Sequence, residues 1–210
     1  MSEGQAGRKR GRYAATEAKR EGILAAARTV FEREGLEGAS LRAIAAQAGY
    51  TPAALYFHFD SKEALYAEVL GRSLAALQAA VDAAVATAGT PAERFRAAAL
   101  AFFDFYAENP RDLDLGFYLF RGGMRPHGLG RERDRALNEA LEAALAPVRD
   151  AALALGADAA RAGLITADAF AHAAGVLLLA HTRRIRMFGA SPRALMERHL
   201  ETELDRLSRR

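Results

Sequence analysis

The sequence predicts an all-α protein of about nine helices. Three observations carry that expectation. Roughly a quarter of the 210 residues are alanine, the strongest helix former. Glycine and proline fall mostly where apolar-periodic segments begin and end. No stretch shows the alternation of β-branched residues that a half-buried strand needs. With 51% hydrophobic residues and a mean hydropathy of -0.08, the chain has enough apolar surface for a sizeable core. Its length fits one or two domains.

Taken in order, the elements have readable starts and stops. Ile23, Ala27, Val30 and Phe31 form an i, i+4, i+7, i+8 stripe, which predicts a helix over residues 16–34 that ends at Gly35. The first dozen residues are small, polar and basic, so they are read as an unstructured arm. Ser40 can cap a short helix over 41–48, and Thr51-Pro52 an N-cap and first position for another over 52–57. Asp60 with Glu63 reads as a capping box opening a long helix to about residue 86. Its stripe is Tyr66, Leu70, Leu74, Leu77, Val81 and Val85. Thr90-Pro91 with Glu93 opens 91–108, and Asn109-Pro110 with Asp112 opens a helix to about residue 120. Four glycines and a proline mark 121–130 as a loop. Helices then follow over 131–155, 166–188 and 192–207.

Charge narrows the function classes. The net charge is only +3, yet the first 20 residues hold six basic side chains against two acidic ones, more than the surplus of the whole chain. The basic arm Arg8, Lys9, Arg10 and Arg12 is either a solvated tail or a reader of an adjacent minor groove. There are no cysteines, which removes disulfides, thiolate metal sites and cysteine nucleophiles. The N-terminus has no apolar signal core, and the longest apolar run, residues 169–180, is about a dozen residues against the roughly 20 of a spanning helix. A cytoplasmic protein is expected. No G-x-S-x-G elbow, phosphate-cradling loop or paired-histidine motif is present, so enzymatic activity, a cofactor and a bound metal are not expected.

The segment 41–59, LRAIAAQAGYTPAALYFHF, carries the function. A helix-turn-helix needs two short helices crossing steeply, a small side chain where they touch and a turn residue tolerant of positive φ. Ala45 and Gly49 supply those, and Ile44, Ala48 and Leu55 point inward.

Residues 14–70, including ILAAARTVFEREGLEGASLRAIAAQAGYTPAALYFHFDSKEALYAEVL, resemble the DNA-binding domain of the TetR (tetracycline-repressor-like) family of transcription regulators. The resemblance implies that the second short helix enters the major groove. It implies phosphate contacts or caps from Ser40, Thr51, Tyr56, His58 and Lys62. Arg42, Gln47, Tyr50, Pro52 and Ala53 would lie near bases or the groove edge. One departure stands out: Pro52, Ala53 and Ala54 occupy positions where many relatives carry lysine and glycine or threonine. Base reading then depends on Thr51, Tyr56, Gln47 and Arg42, with apolar contacts and DNA shape. Phe57 and Phe59 read as core aromatics.

Seven of the 17 Phe and Tyr residues lie between Phe102 and Phe120, an aromatic cluster that fills a core or lines a cavity. The resemblance favours a small-molecule effector there. The apolar candidates are Phe103, Tyr106, Phe117, Phe120, Met124 and His172. Arg121, His127, His181 and Arg184 are the polar or anionic anchors. On the last two helices, Phe170, Val176 and Leu177 with the stripe Met196, Leu200, Leu204 and Leu207 read either as intramolecular packing or as a homodimer interface, and the resemblance favours the dimer. The expected organisation is a flexible basic arm over 1–13, a DNA-binding domain over 14–60 and an effector-binding and dimerisation domain over 61–210. The function implied is a ligand-responsive repressor, homodimeric on a double-stranded palindromic operator. The alternative is a DNA-binding regulator without a small effector, controlled by a protein partner.

Overall fold

A computed structural model of the chain describes residues 3–116 and 128–209, with side chains from Thr16 onward. The described residues contain nine α-helices, one 3-10 turn and no strand. They divide into two compact units, Met1–Arg72 with Asp114–Arg135, and Ser73–Leu113 with Ala136–Arg210.

The first unit is built on α1 (Glu3–Gly38), α2 (Leu41–Ala48), α3 (Pro52–Tyr56) and the first part of α4 (Lys62–Ala86). The predicted stripe of α1 is buried, as are Ile44, Ala45 and Leu55. Phe31 meets Tyr66 edge-on at 4.8 Å, and the Tyr66 hydroxyl donates to the Leu115 carbonyl at 2.9 Å. A buried phenol thus keeps its polar end satisfied. At the rim Arg20 pairs with Glu68 and lies 4.9 Å over the Phe59 ring. Arg72 holds both carboxylate oxygens of Glu21 at 2.5 and 2.6 Å, which draws the Glu21 pKa down, chiefly through that hydrogen bond.

Two boundaries here differ from the sequence reading. Helical backbone begins at Glu3, not at residue 16. Extending an existing helix costs far less than nucleating one, and Ala, Arg, Lys and Gln are good helix formers. The cap of α4 is Ser61, whose hydroxyl accepts from the Ala64 amide at 3.1 Å, rather than Asp60. Gly35 does interrupt α1, at φ 71°, where a residue without Cβ is at home.

The second unit contains the rest of α4, α5 (Pro91–Glu108), part of α6 (Pro110–Gly116), most of α7 (Arg131–Ala154), α8 (Ala159–His181), the 3-10 turn Arg184–Phe188 and α9 (Pro192–Ser208). The predicted Thr90–Glu93 capping box is complete. The helix predicted over 166–188 starts seven residues earlier and stops earlier too. Gly156 takes φ 93°, Asp158 caps α8 by accepting from the Arg161 amide at 2.8 Å, and the chain leaves the helix at Arg183, at φ 60°. The Thr182 hydroxyl donates back to the Leu178 carbonyl at 2.6 Å, a local bond that competes with helix continuation.

Within this unit Phe102 contacts Tyr106 and Phe170 edge-on at 5.1 and 5.7 Å, and Arg96 grips Glu201 at 2.6 and 2.9 Å between α5 and α9. By length and composition α4 and α8 are apolar enough to cross a membrane, a wider span than the dozen residues read from the sequence. Each nevertheless buries a stripe, Leu74, Leu77 and Val81 on one, Ala162, Ile165, Ala169 and Ala173 on the other.

Candidate nucleic-acid interface

Local rules place the helix-turn-helix. The Ser40 hydroxyl accepts from the Ala43 amide at 3.1 Å and starts α2. Gly49 stops it at φ 72° and ψ 27°, a left-handed conformation costly for any other residue. The Tyr50 amide reaches back to the Ala45 carbonyl at 2.9 Å, so the turn is closed by backbone bonds. Thr51 accepts from Ala54 at 3.3 Å and starts α3, with Pro52 at the first position, where its missing N–H costs nothing. Ile44, Ala45 and Leu55 are wholly buried beneath this frame.

Ser40, Arg42, Gln47, Thr51, Pro52, Ala53 and Tyr56 are exposed, while Tyr50, His58 and Lys62 are half-buried. The structure therefore gathers all ten sequence candidates in one short segment, most of them open to solvent. Hydroxyls, an amide and a guanidinium in that position suit phosphate oxygens and base edges.

Two details depart from the sequence reading. Phe57, expected in the core, is 85% exposed and meets His58 edge-on at 5.4 Å. Its neighbours explain the error: Leu55 and Phe59 are both buried, and the residue midway between them is turned outward. Lys62 donates to the Leu36 carbonyl at 3.0 Å, so its ammonium has a partner within the protein.

The effector candidates fare differently. Phe117, Phe120, Arg121, Met124 and His127 lie outside the described residues. Phe103 and Tyr106 are buried side chains of α5. Burial, and secondarily the charge of Asp112, push the Tyr106 pKa well above the ordinary phenol value, so it stays protonated. His172 is half-buried, its Nε2 3.2 Å from the Leu195 carbonyl, and its ring stacks on His199 at 4.2 Å. His181 is exposed, with Nε2 3.2 Å from the Tyr106 carbonyl, and Arg184 is exposed. Of these candidates, His181 and Tyr106 meet through that contact, while His172 lies against α9.

A cavity of about 480 Å³ lies elsewhere, between α7 and α8, lined by Leu141, Leu145, Ala167 and Phe170 with Glu142 and Arg149 among its polar groups. Its size falls within the range of small-molecule sites. Among the described residues no cluster of three or more His, Asp or Glu is arranged to hold a metal ion.

The expected dimer face also changes. Val176, Leu177, Met196, Leu200, Leu204 and Leu207 are all buried within the single chain, and Phe170 contacts Phe102 and borders the α7–α8 cavity. Their stripe is the packing of α8 and α9 with their own unit. The large apolar residues that α8 leaves outside are Leu164, at 68% exposed, and Leu178, at 59%.

Residues 23–69 match the family of bacterial regulatory proteins known as tetR. The N-terminal module is similar to the domain of that family. Over 111 residues the chain is 37% identical to the HTH-type transcriptional activator FasR of Mycolicibacterium smegmatis, covering 53% of this chain and 51% of that one. Over 54 residues it is 43% identical to the HTH-type transcriptional repressor BepR of Brucella suis biovar 1, covering 26% of each. The matches therefore span about half of the activator and about a quarter of the repressor. Both relatives are transcriptional regulators rather than enzymes. In fold, the chain is similar to the transcriptional regulator FadR from Bacillus subtilis, solved in complex with stearoyl-CoA. The TM-score is 0.66 at 17% identity, over 86% of this chain and 95% of that one. The all-helical fold shared with that structure thus extends beyond the N-terminal module.

Proposed function

We propose that this protein is a ligand-responsive DNA-binding transcriptional regulator, a repressor that holds a palindromic operator as a homodimer and is released by a small apolar or amphipathic effector. One observation supports the DNA-binding part above the others: the capped, Gly49-hinged α2–α3 pair, with Arg42, Gln47, Thr51 and Tyr56 on its open side. Gln47 and Arg42 have the donor and acceptor patterns that read adenine and guanine edges. Selection from a pool of random duplexes tests this reading. The expected outcome is an enriched inverted repeat with half-sites about one helical turn, or a multiple of it, apart. A pool that stays random would refute it.

For the homodimer, the outer face of α8 is the better candidate. Leu164, Ala167, Ala171, Gly175 and Leu178 are exposed at i, i+3, i+7, i+11 and i+14, an apolar stripe with small residues at its centre that lets a second helix approach closely. The effector part is supported by the fold shared with a stearoyl-CoA-bound regulator and by the α7–α8 cavity. An acyl chain with an anionic head would suit such a lining, with Arg149 as the cationic group. Native mass spectrometry of the purified protein, followed by thermal-shift titration of whatever co-purifies, tests it.

The closed packing around Phe103 and Tyr106 favours a second reading, a regulator controlled by a protein partner. Operator binding unchanged by any co-purified or added amphiphile would select that reading.

A further inference from the structure

We infer that Lys62 is a positioning residue of the DNA-binding head, holding the junction between α1 and α2 from the start of α4, rather than a phosphate contact. The inference rests on the DNA-binding reading above. Lys62 is the first residue of α4, and the positive end of a helix dipole is an adverse place for a cation. The acid that suits this end, Glu63, stands next to it, and Ser61 already caps the helix. Relative to α4 the ammonium is misplaced.

Relative to α1 it is well placed. The last turn of α1 has no basic residue, and Gly35 at φ 71° breaks the regular bonding just before the helix ends. Carbonyls at such an end need partners from outside the helix. The Leu36 carbonyl, in the short turn that follows the Gly35 break, accepts from Lys62 Nζ at 3.0 Å, across 26 positions of sequence. Leu36 and Ala39 are buried, and the next residue, Ser40, caps α2. The chain between the Leu36 bond and the Ser40 cap is only a few residues long. Anchoring its first end fixes where α2 starts, and through the Gly49 turn where α3 lies.

The test uses the full-length protein and a random-sequence duplex of about 30 base pairs, with affinity read by fluorescence anisotropy across a salt series. Losing a phosphate contact flattens the dependence of log affinity on log salt by about 0.9. Losing a positioning contact lowers affinity without changing that slope. For Lys62→Met we expect affinity about two- to five-fold lower at every salt concentration, the size of one net hydrogen bond, with the slope parallel to wild type. Amide exchange over residues 39–43 should speed up, and Lys62→Arg, which keeps a donor, should restore both. A slope flatter by about 0.9 with unchanged exchange would overturn the inference, as would no change in affinity.

Should Lys62→Met fail to fold, acetylation of the wild-type protein decides the matter. A positioning lysine reacts at the same rate with and without duplex, whereas a phosphate contact is protected by it. If the wild-type protein binds no duplex at low salt, the DNA-binding reading fails. The exchange measurement then still decides whether Lys62 holds the junction.

Discussion

The two units solve the same problem, ordering short helices, by different means. In the helix-turn-helix nearly every residue is placed by its immediate neighbours: Ser40 and Thr51 cap, Gly49 turns, Pro52 starts α3, and Ile44, Ala45 and Leu55 fill one small core. In the second unit, long alanine-rich helices could pack in several registers. Remote contacts choose among them: Phe102 against Phe170, Arg96 against Glu201, and His172 against His199. Local rules make the first region legible and tolerant of change outside its core. The second depends on buried partners far away in sequence.

The largest expected effect would break that contrast if it failed. Leu200→Glu places a carboxylate where the chain is closed, so the second unit should lose its cooperative melting transition altogether. Leu164→Glu with Leu178→Glu, on the exposed face of α8, should leave melting nearly unchanged and yield monomers on sedimentation. If Leu200→Glu merely gave a folded monomer, α9 would be the interface after all. Next in size, Phe103→Ala should cost about 3–5 kcal/mol by denaturant unfolding. Phe57→Ala should cost under about 0.5 kcal/mol while weakening duplex binding.

A pH effect sharpens the comparison further. Burial first, and the neighbouring His172 second, hold the His199 pKa below the ordinary histidine value, outweighing the opposing charges of Glu203 and Asp168. Its Nε2 is buried with no hydrogen-bond partner. The folded state therefore resists a proton that the unfolded state takes up near pH 6.5, so stability is full above about that pH and falls as pH drops below it. Melting of the wild-type protein should drop between about pH 7.5 and about pH 5.5, and His199→Phe should flatten the response. The caps carry a smaller effect than the buried rings. Thr51→Ala should cost about 1 kcal/mol by thermal melting.

Much of the helix-turn-helix was legible because its signals are short-range. The bounds of α2, the Gly49 turn and the Thr51-Pro52 start were all readable, and so was the buried set Ile44, Ala45 and Leu55. What escaped were facts about faces. A stripe such as Met196, Leu200, Leu204 and Leu207 says that something covers it, and nothing in its periodicity tells a second copy from the same chain. Phe57 was misjudged because an aromatic residue is expected inside until its neighbours show which way it turns. α8 lies seven residues upstream of the expected 166–188 because Asp158 caps it there, a start that the apolar spacing does not mark.

By itself, then, the sequence determined the all-helical class, the resemblance to TetR-family DNA-binding domains and the register of the helix-turn-helix, because caps, glycine conformations and apolar spacing act over three or four residues. Tertiary structure alone decided that the α9 stripe is closed within its own unit, that Phe57 stands in solvent and that Lys62 reaches the end of α1. Those outcomes depend on which helices come to lie side by side, a choice made by packing surfaces remote from one another along the chain.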